Sequence, residues 1–383
     1  SYSKTWEVIV QYQGDLAFLE EQGVRVTLLL FSYAILLVPE SLMDYVTGLP
    51  QITYLEKPKL LYFADAFVRS ISCITPVQEG VMGLSGNGVL LACIDSGVDY
   101  AHPDFCAPDG TSRIAILWDQ TIPGNPPMGY ALGSVYTRQQ INEALASSTP
   151  EERFALVPSR DVTGHGTAVL GIAAGNGRSS ADAAMRGVAP EATLVVVKLG
   201  NPDPADLPRT SQLLQAVDFC VRYALLVERP LVINLSFGNN YGSHSGDSLL
   251  ETYLNAVSNL GQNVICIGAG NEGDTGRHYA GNLKSDRKSS GQTQTVRATS
   301  DPAATSAVSA TADRAVSVEF QVGAYESSFS LQIWKVYGDE ISIELISPGG
   351  IRSGTLSPVL GTARLTLGPT ELLLFYGMPS PYL

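Results

Sequence analysis

Apolar and polar positions divide the chain into three stretches with different periods. In the first, short apolar runs from Glu7 to Tyr12, Val24 to Leu30, Tyr33 to Val38 and Ile52 to Leu55 read as strands. Asp15 to Gln22 reads as a short helix, and Ser41 is placed to cap a second that runs through Thr47 and stops before Pro50. The resulting βαββαβ order is the ferredoxin-like pattern of a small α+β domain. A connector from Lys57 to Gly88, broken by Pro58, Pro76, Gly80, Gly83 and Gly86, separates this domain from the second stretch.

That second stretch alternates continuous apolar runs with helical periods. Val89 to Ile94, Ala192 to Leu199, Leu231 to Gly238 and Asn263 to Ile267 read as strands buried on both faces. Thr210 to Val227 is a helix with Leu213, Leu214, Val217 and Val221 on one face, and Ser248 to Leu260 is another. A helix that is apolar all round, Ala168 to Ala174, comes after Gly164-His165-Gly166-Thr167, and such a helix is expected to be buried. Alternating strands and helices predict an α/β fold, a parallel sheet with helices on both faces. After about Gly281 helical period is lost. Val316 to Val322, Phe329 to Val336, Ile341 to Ile346, Ala363 to Leu367 and Glu371 to Phe375 predict antiparallel β structure, a sandwich.

Composition narrows the functional classes. The net charge of −13 and the lack of a basic patch argue against nucleic acid as a partner, since only Lys284 to Lys288 is locally basic. No run of 18 apolar residues suggests a membrane span, and the residues from Ser1 onward show no leader pattern. Five widely spaced cysteines form neither a disulfide framework nor a zinc spacing, and Cys93 and Cys266 read as small core residues.

Three polar residues stand at the ends of these elements. Asp95 ends the Val89 strand, in Ile94-Asp95-Ser96-Gly97-Val98. His165 opens the apolar helix, in Asp161-Val162-Thr163-Gly164-His165-Gly166-Thr167. Asn271 comes after the last buried strand, in Ala269-Gly270-Asn271. Taken singly, each has an ordinary reading as a turn, cap or helix-terminus residue. Together they supply a carboxylate, an imidazole and an amide in the order in which one chemistry needs them. A buried Asp orients an imidazole, the imidazole takes a proton from a serine, and an amide donates to the oxyanion.

At these residues the chain resembles the subtilisin-like serine proteases, the subtilases. Asp95 with His102-Pro103-Asp104 after it, Gly164-His165-Gly166-Thr167 and Ala269-Gly270-Asn271 are similar to the family's aspartate, histidine and oxyanion motifs. Ser236-Phe237-Gly238 resembles its substrate-pairing edge strand. Ala168 in place of a second histidine, Asn271-Glu272-Gly273, His278-Tyr279-Ala280-Gly281 and the β-rich insertion resemble the spore-germination branch. The resemblance implies a ferredoxin-like pro-domain over 1–67, a catalytic domain over 68–283 and a jelly-roll-like insertion over 284–383. It implies a serine endopeptidase in which Asp95 and His165 are catalytic, Asn271 forms the oxyanion hole, and Ser236, Phe237 and Gly238 bind substrate. The partners it implies are a protein or peptide substrate and the chain's own pro-domain, acting as chaperone and inhibitor and open to auto-processing. A bacterial, spore-associated or secreted location fits that branch.

One motif departs from the family. No Gly-Thr-Ser-x-Ala occurs after Asn271; the only Gly-Thr-Ser is Gly110-Thr111-Ser112, which lies between Asp95 and His165 and reads as a turn. The nucleophile is therefore expected on a C-terminal segment beyond Leu383, and residues 1–383 alone are expected to be inactive. Gly268 to Gly273 matches G-x-G-x-x-G, but no helix pattern comes after it, so a nucleotide cofactor is not expected. Asp104 matches a position that binds calcium in many subtilases. Residues Asn176 to Arg186 do not clearly supply further oxygens, and His244 and His278 lack ligand spacing, so no metal is expected. A catalytically inactive subtilase-fold protein with a regulatory or binding role is the alternative.

Overall fold

The structure, a computed structural model, describes residues 5–58, 62–63, 74–79, 81–180, 185–201, 203, 207–271, 278–281, 297–299, 310–311, 315–322, 326–336, 338–339, 341–356 and 361–376. It forms two compact units, Ser1–Gly268 with Trp334–Leu383, and Ala269–Ile333. Lys284 to Lys288 and residues 59–61, 64–73 and 80 of the connector lie outside the described residues.

The N-terminal layer has the expected topology. Strands β1 (Thr5–Tyr12), β2 (Arg25–Leu28), β3 (Tyr33–Pro39) and β4 (Ile52–Glu56) form an antiparallel sheet in the order β2-β3-β1-β4. Helices α1 (Phe18–Glu21) and α2 (Met43–Thr47) accompany it. Ser41 falls in a 3₁₀ turn, Glu40–Leu42, and its side chain does not cap α2. Strand period decides the packing: Val8 and Val10 face the layer's own core with Leu16 and Leu19, while Ile9 faces the other way. After β4 come β5 (Tyr62–Phe63) and the short helix α3 (Ile74–Glu79).

The main sheet is built on β6 (Leu90–Asp95). Its odd and even residues divide between two cores, Leu90, Ala92 and Ile94 on one face and Leu91 and Cys93 on the other. The chain then adds β7 (Ile114–Asp119), β8 (Ser134–Thr137), helices α4 (Arg138–Leu145), α5 (Pro150–Leu156) and α6 (His165–Ala174), and β9 (Thr193–Lys198). It returns through α7 (Thr210–Leu226) to β10 (Leu231–Leu235), β11 (Phe237–Gly238), α8 (Leu249–Ser258) and β12 (Asn263–Ile267). The sheet order is β12-β10-β6-β9-β7-β8, parallel except for β8, which runs antiparallel to β7 at one edge. Later strands lie on both sides of β6, so the C-terminal end of β6 is the topological switch point where open α/β sheets place their sites.

Several expectations need correction. The Leu231 run breaks at Ser236 into β10 and β11. Cys266 is exposed because β12 is the sheet edge, where Val264 and Ile267 are also open. Helix α6 is buried only along Gly166, Leu170 and Ala174, one stripe at four-residue spacing, while Ala168 and Ile172 face outward. Helix α7 is buried on nearly every side, polar residues included, because the N-terminal sheet covers its outer face. Beyond Gly281 the described strands pair only in twos. Arg297–Thr299 pairs in parallel with Glu319–Gln321, and Ala310–Thr311 pairs antiparallel with Ala315–Val316. In the first unit Gly361–Leu367 and Thr370–Tyr376 form an antiparallel hairpin. Residues 329–336 carry no regular strand, and Ile343 and Ile346 make only isolated bridges.

The N-terminal layer docks on α7 and α8 through a mixed apolar and polar contact. Ile9, Leu29, Tyr33 and Ile35 enter the core that contains Val217, Val221, Tyr253 and Val257. Each such side chain contributes about 1.5–3 kcal/mol on burial. At the centre the buried carboxylate of Asp218 accepts from Leu30 N at 3.0 Å, Tyr130 OH at 2.7 Å, Tyr253 OH at 2.8 Å and Arg222 Nε at 2.6 Å. Glu56, also buried, accepts from Leu249 N at 3.1 Å, an otherwise unpaired amide at the start of α8. Asp218→Ala would leave several buried donors unpaired and should destabilise the protein by about 3–5 kcal/mol. Denaturant unfolding of the parent and the variant measures the difference.

Candidate active site

Asp95 and His165 meet at the switch point. His165 Nδ1 lies 2.7 Å from Asp95 Oδ1, which also accepts from Ser96 N at 2.7 Å. Asp95 is 1% exposed, and burial pushes its carboxyl above the ordinary 3.8 despite the hydrogen bonds from His165 and Ser96. A carboxylate facing Nδ1 fixes the proton on that nitrogen and leaves Nε2 as the base. The pair has the arrangement that a general base needs, with its orientation built into the fold.

Two glycines make the approach possible. Gly164, at φ 77°, turns the chain into α6. Gly166 sits directly on the end of β6, where a Cβ would overlap the carbonyl oxygen of Gly97 and come within 3.1 Å of Asp95 Oδ1. Since no side chain on Gly164 can cap the helix, its first amides find partners elsewhere. Gly166 N donates to Ser96 Oγ at 2.9 Å, and Thr167 N donates to Asp161 Oδ2 at 2.8 Å. Sequence reasoning gives Asp161 and Ser96 no role of their own, although both lie close to His165 and Asp95 in the chain. The available signal for Asp161 is an acid three residues before a glycine turn, in a segment with Thr163 able to form local side-chain turns.

Ser236, Phe237 and Gly238 stand next in sequence to the C-terminal end of β10. Ser236 Oγ accepts from Asn234 Nδ2 at 2.8 Å, and Phe237 packs into the core. β5 lies antiparallel on this edge, with Phe63 opposite Phe237 and Tyr62 opposite Gly238. Asn271 comes after β12 in sequence and belongs to the second unit, where it is exposed. Ser112 precedes β7, so it stands at the N-terminal edge of the parallel strands. Asp95 stands at the C-terminal edge, and six strand residues span about 20 Å. Ser112 is buried, and its Oγ accepts from Ile114 N.

Asp104 lies beside the C-terminal end of α6, where guanidinium groups take the carbonyls. Arg113 donates to the carbonyls of Asp104, Ala174 and Ala192 at 2.6–2.9 Å, and burial lowers its guanidinium to about 10. Arg178 Nη1 donates to the carbonyls of Cys106 and Ala107 at 3.2 and 2.5 Å, while Asp104 Oδ1 accepts from Ser179 N at 2.7 Å. Among the described residues no group of three or more His, Cys, Asp or Glu is placed to hold a metal ion, and no helix is long and apolar enough to cross a membrane.

Comparison with known proteins agrees with this geometry. Residues 86–369 match the model of the subtilase family, and residues 1–59 match that of the Csp protease B prodomain. The chain is 26% identical over 228 residues to subtilisin E of Bacillus subtilis (strain 168), covering 59% of this chain and 46% of that protein. It is 29% identical over 205 residues to the major intracellular serine protease of the same organism, covering 53% and 49%. It superposes on the CspB protease of Clostridium perfringens with a TM-score of 0.62 and 28% identity, over 82% of this chain and 56% of that one. The chain thus spans about half the length of the curated relatives it matches.

Two outcomes are expected of the site. Gly166→Ala should separate the start of α6 from β6 and destabilise the protein by about 1–3 kcal/mol, the usual effect of overpacking. Its melting temperature and the Asp95–His165 distance in a crystal structure check this. Asp95, raised above 3.8 in the folded state, contributes stability that is complete below 3.8 and lost as pH rises through the folded value. Asp95→Asn lacks that loss. Its stability relative to the parent should therefore rise from about pH 3.8 upward and level off once Asp95 is ionised, which unfolding midpoints across pH would reveal.

Proposed function

Because the chain belongs to the subtilase family, we propose that it is the pro-domain and part of the catalytic domain of a serine endopeptidase. The observation that carries this reading is the 2.7 Å contact between Asp95 and His165 at the end of the central strand. In the proposed reaction Asp95 orients the imidazole, and His165 Nε2 takes the proton of a serine hydroxyl as its oxygen attacks the peptide carbonyl. His165 then gives that proton to the leaving amine, and water releases the acyl group by the same steps. The Asn271 amide is the proposed oxyanion donor. Loss of such an amide costs about 2.7–4 kcal/mol, a value measured in subtilisin itself.

The pro-domain is assigned to residues 1–67, the catalytic part to 68–283 and a jelly-roll-like insertion to 284–383. Ser236, Phe237 and Gly238 are the proposed substrate edge, to which an extended peptide adds as a strand. The pairing of β5 with β11 supports a second role, in which the pro-domain's own chain occupies that edge as an inhibitor. The nucleophile is proposed to lie on a segment outside these residues. Support comes from the placement of Ser112 and from the open apolar side chains Ile172, Val264 and Ile267, which further structure would cover.

A serine-directed phosphonate, applied to a protein that contains this chain and its continuation, tests the reading. A label on a serine outside residues 1–383, lost in His165→Ala, is expected. A label on Ser112 or another serine of this chain would show the nucleophile to be misassigned. No label and no peptide hydrolysis from the folded, pro-domain-released protein would favour the inactive binding or regulatory alternative.

A further inference from the structure

The carboxylate of Asp161 touches neither Asp95 nor His165, yet both elements that carry them converge on it. Its Oδ1 accepts from Ser96 Oγ at 2.9 Å, Gly164 N at 3.0 Å and Thr163 Oγ1 at 3.3 Å. Its Oδ2 accepts from Thr167 N at 2.8 Å and Thr167 Oγ1 at 2.7 Å. Two of these partners reach onward. Ser96 Oγ accepts from Gly166 N at 2.9 Å, and Thr167 Oγ1 accepts from Asp99 N at 2.9 Å. Ser96 is bonded to Asp95 in the chain, while Gly164 and Gly166 flank His165. One carboxylate therefore joins the end of β6 to the first turn of α6 on both sides of the imidazole.

We propose that Asp161 is a positioning residue that sets the Asp95–His165 contact. The inference rests on the protease reading for its catalytic meaning, but the geometry it claims is a property of the folded chain. Helix α6 has no side chain at Gly164 to cap it, so the amides of His165, Gly166 and Thr167 are held by Thr163, Ser96 and Asp161 respectively. Without them the ties of the turn to β6 and the loop after it are reduced to packing, the Asp99 N–Thr167 Oγ1 and Cys93 Sγ–Gly166 O contacts, and the Asp95–His165 bond itself. Burial pushes the Asp161 carboxyl up, but the hydrogen bonds from Thr167, Ser96 and Gly164 outweigh this and hold it below its ordinary value, so it stays ionised at neutral pH. The charge matters because a neutral amide cannot replace it. Hydroxyls can turn round, but Gly164 N faces one oxygen and Thr167 N the other. In Asp161→Asn the amide nitrogen must meet a backbone N–H in either orientation.

The test reads the His165 Nδ1–H proton directly by NMR in the full chain labelled with ¹⁵N-histidine, which contains four histidines. The parent should show a low-field Nδ1–H resonance from His165, absent in His165→Ala. Asp161→Asn and Thr167→Val should broaden or lose it while circular dichroism shows a folded protein, and Thr167→Ser, which keeps the hydroxyl, should retain it. If Asp161→Asn does not fold, the two Thr167 variants decide. An unchanged resonance in folded Asp161→Asn, equal loss in Thr167→Ser and Thr167→Val, or no such resonance in the parent would overturn the proposal. The signal needs neither serine nor substrate. Failure of phosphonate labelling together with the expected NMR pattern would overturn the protease reading and leave the positioning role standing.

Discussion

The contact of Gly166 with Gly97 is the constraint on which the rest of the site depends. A buried carboxylate at the end of a strand can reach an imidazole at the start of a helix only if the two backbones nearly touch. Any side chain at Gly166 would sit where the Gly97 carbonyl now is. That closeness shapes the surrounding chemistry. The turn at Gly164 is left-handed and carries no capping side chain, so the first amides of α6 are satisfied by Thr163, by Ser96 just after β6 and by Asp161. The apolar sequence of α6 reflects the same geometry, since its buried stripe of Gly166, Leu170 and Ala174 pairs two small residues with one large one.

The four strands of the N-terminal sheet and β6, β9, β10 and β12 of the main sheet were legible because period-two alternation and unbroken apolar runs report burial on one face or two, whereas β7 and β8 were not singled out. The residues of β6 divide between its two cores as the Val89 to Ile94 run implies. What the pattern could not show was how layers cover one another. Gln212, Gln215 and Asp218 look like the wet face of an amphipathic helix, and a single-helix reading assigns them to solvent. They are buried because the N-terminal sheet lies over them, and Asp218 is tolerated there because four donors meet it. Cys266 fails for the reverse reason. Its apolar strand is an edge, and one-dimensional pattern does not distinguish an edge from a centre.

In the site, Asp95 and His165 were legible because each ends a strongly patterned element and carries a side chain with few bland uses beside the other. The edge at Ser236–Gly238 was legible only by resemblance, and the structure adds the strand that pairs with it. Ser96, Asp161 and Thr167 were not legible as a group. Ser, Asp and Thr are ordinary turn residues, and nothing in their spacing reveals that Ser96, 65 positions before Asp161, donates to its carboxylate.

The β5–β11 pairing bears on how the inhibition proposed above would respond to cutting. β5 begins six residues after β4 ends, and β4 belongs to the layer held on α7 and α8. A strand tethered so closely sees its edge at an effective concentration on the order of millimolar, so even a weak free segment would remain seated. Cleavage anywhere after Phe63 leaves that tether whole. On our reading, release of the edge is then a question of dissociating the N-terminal layer, and a single broken peptide bond would change the covalent structure without vacating that edge.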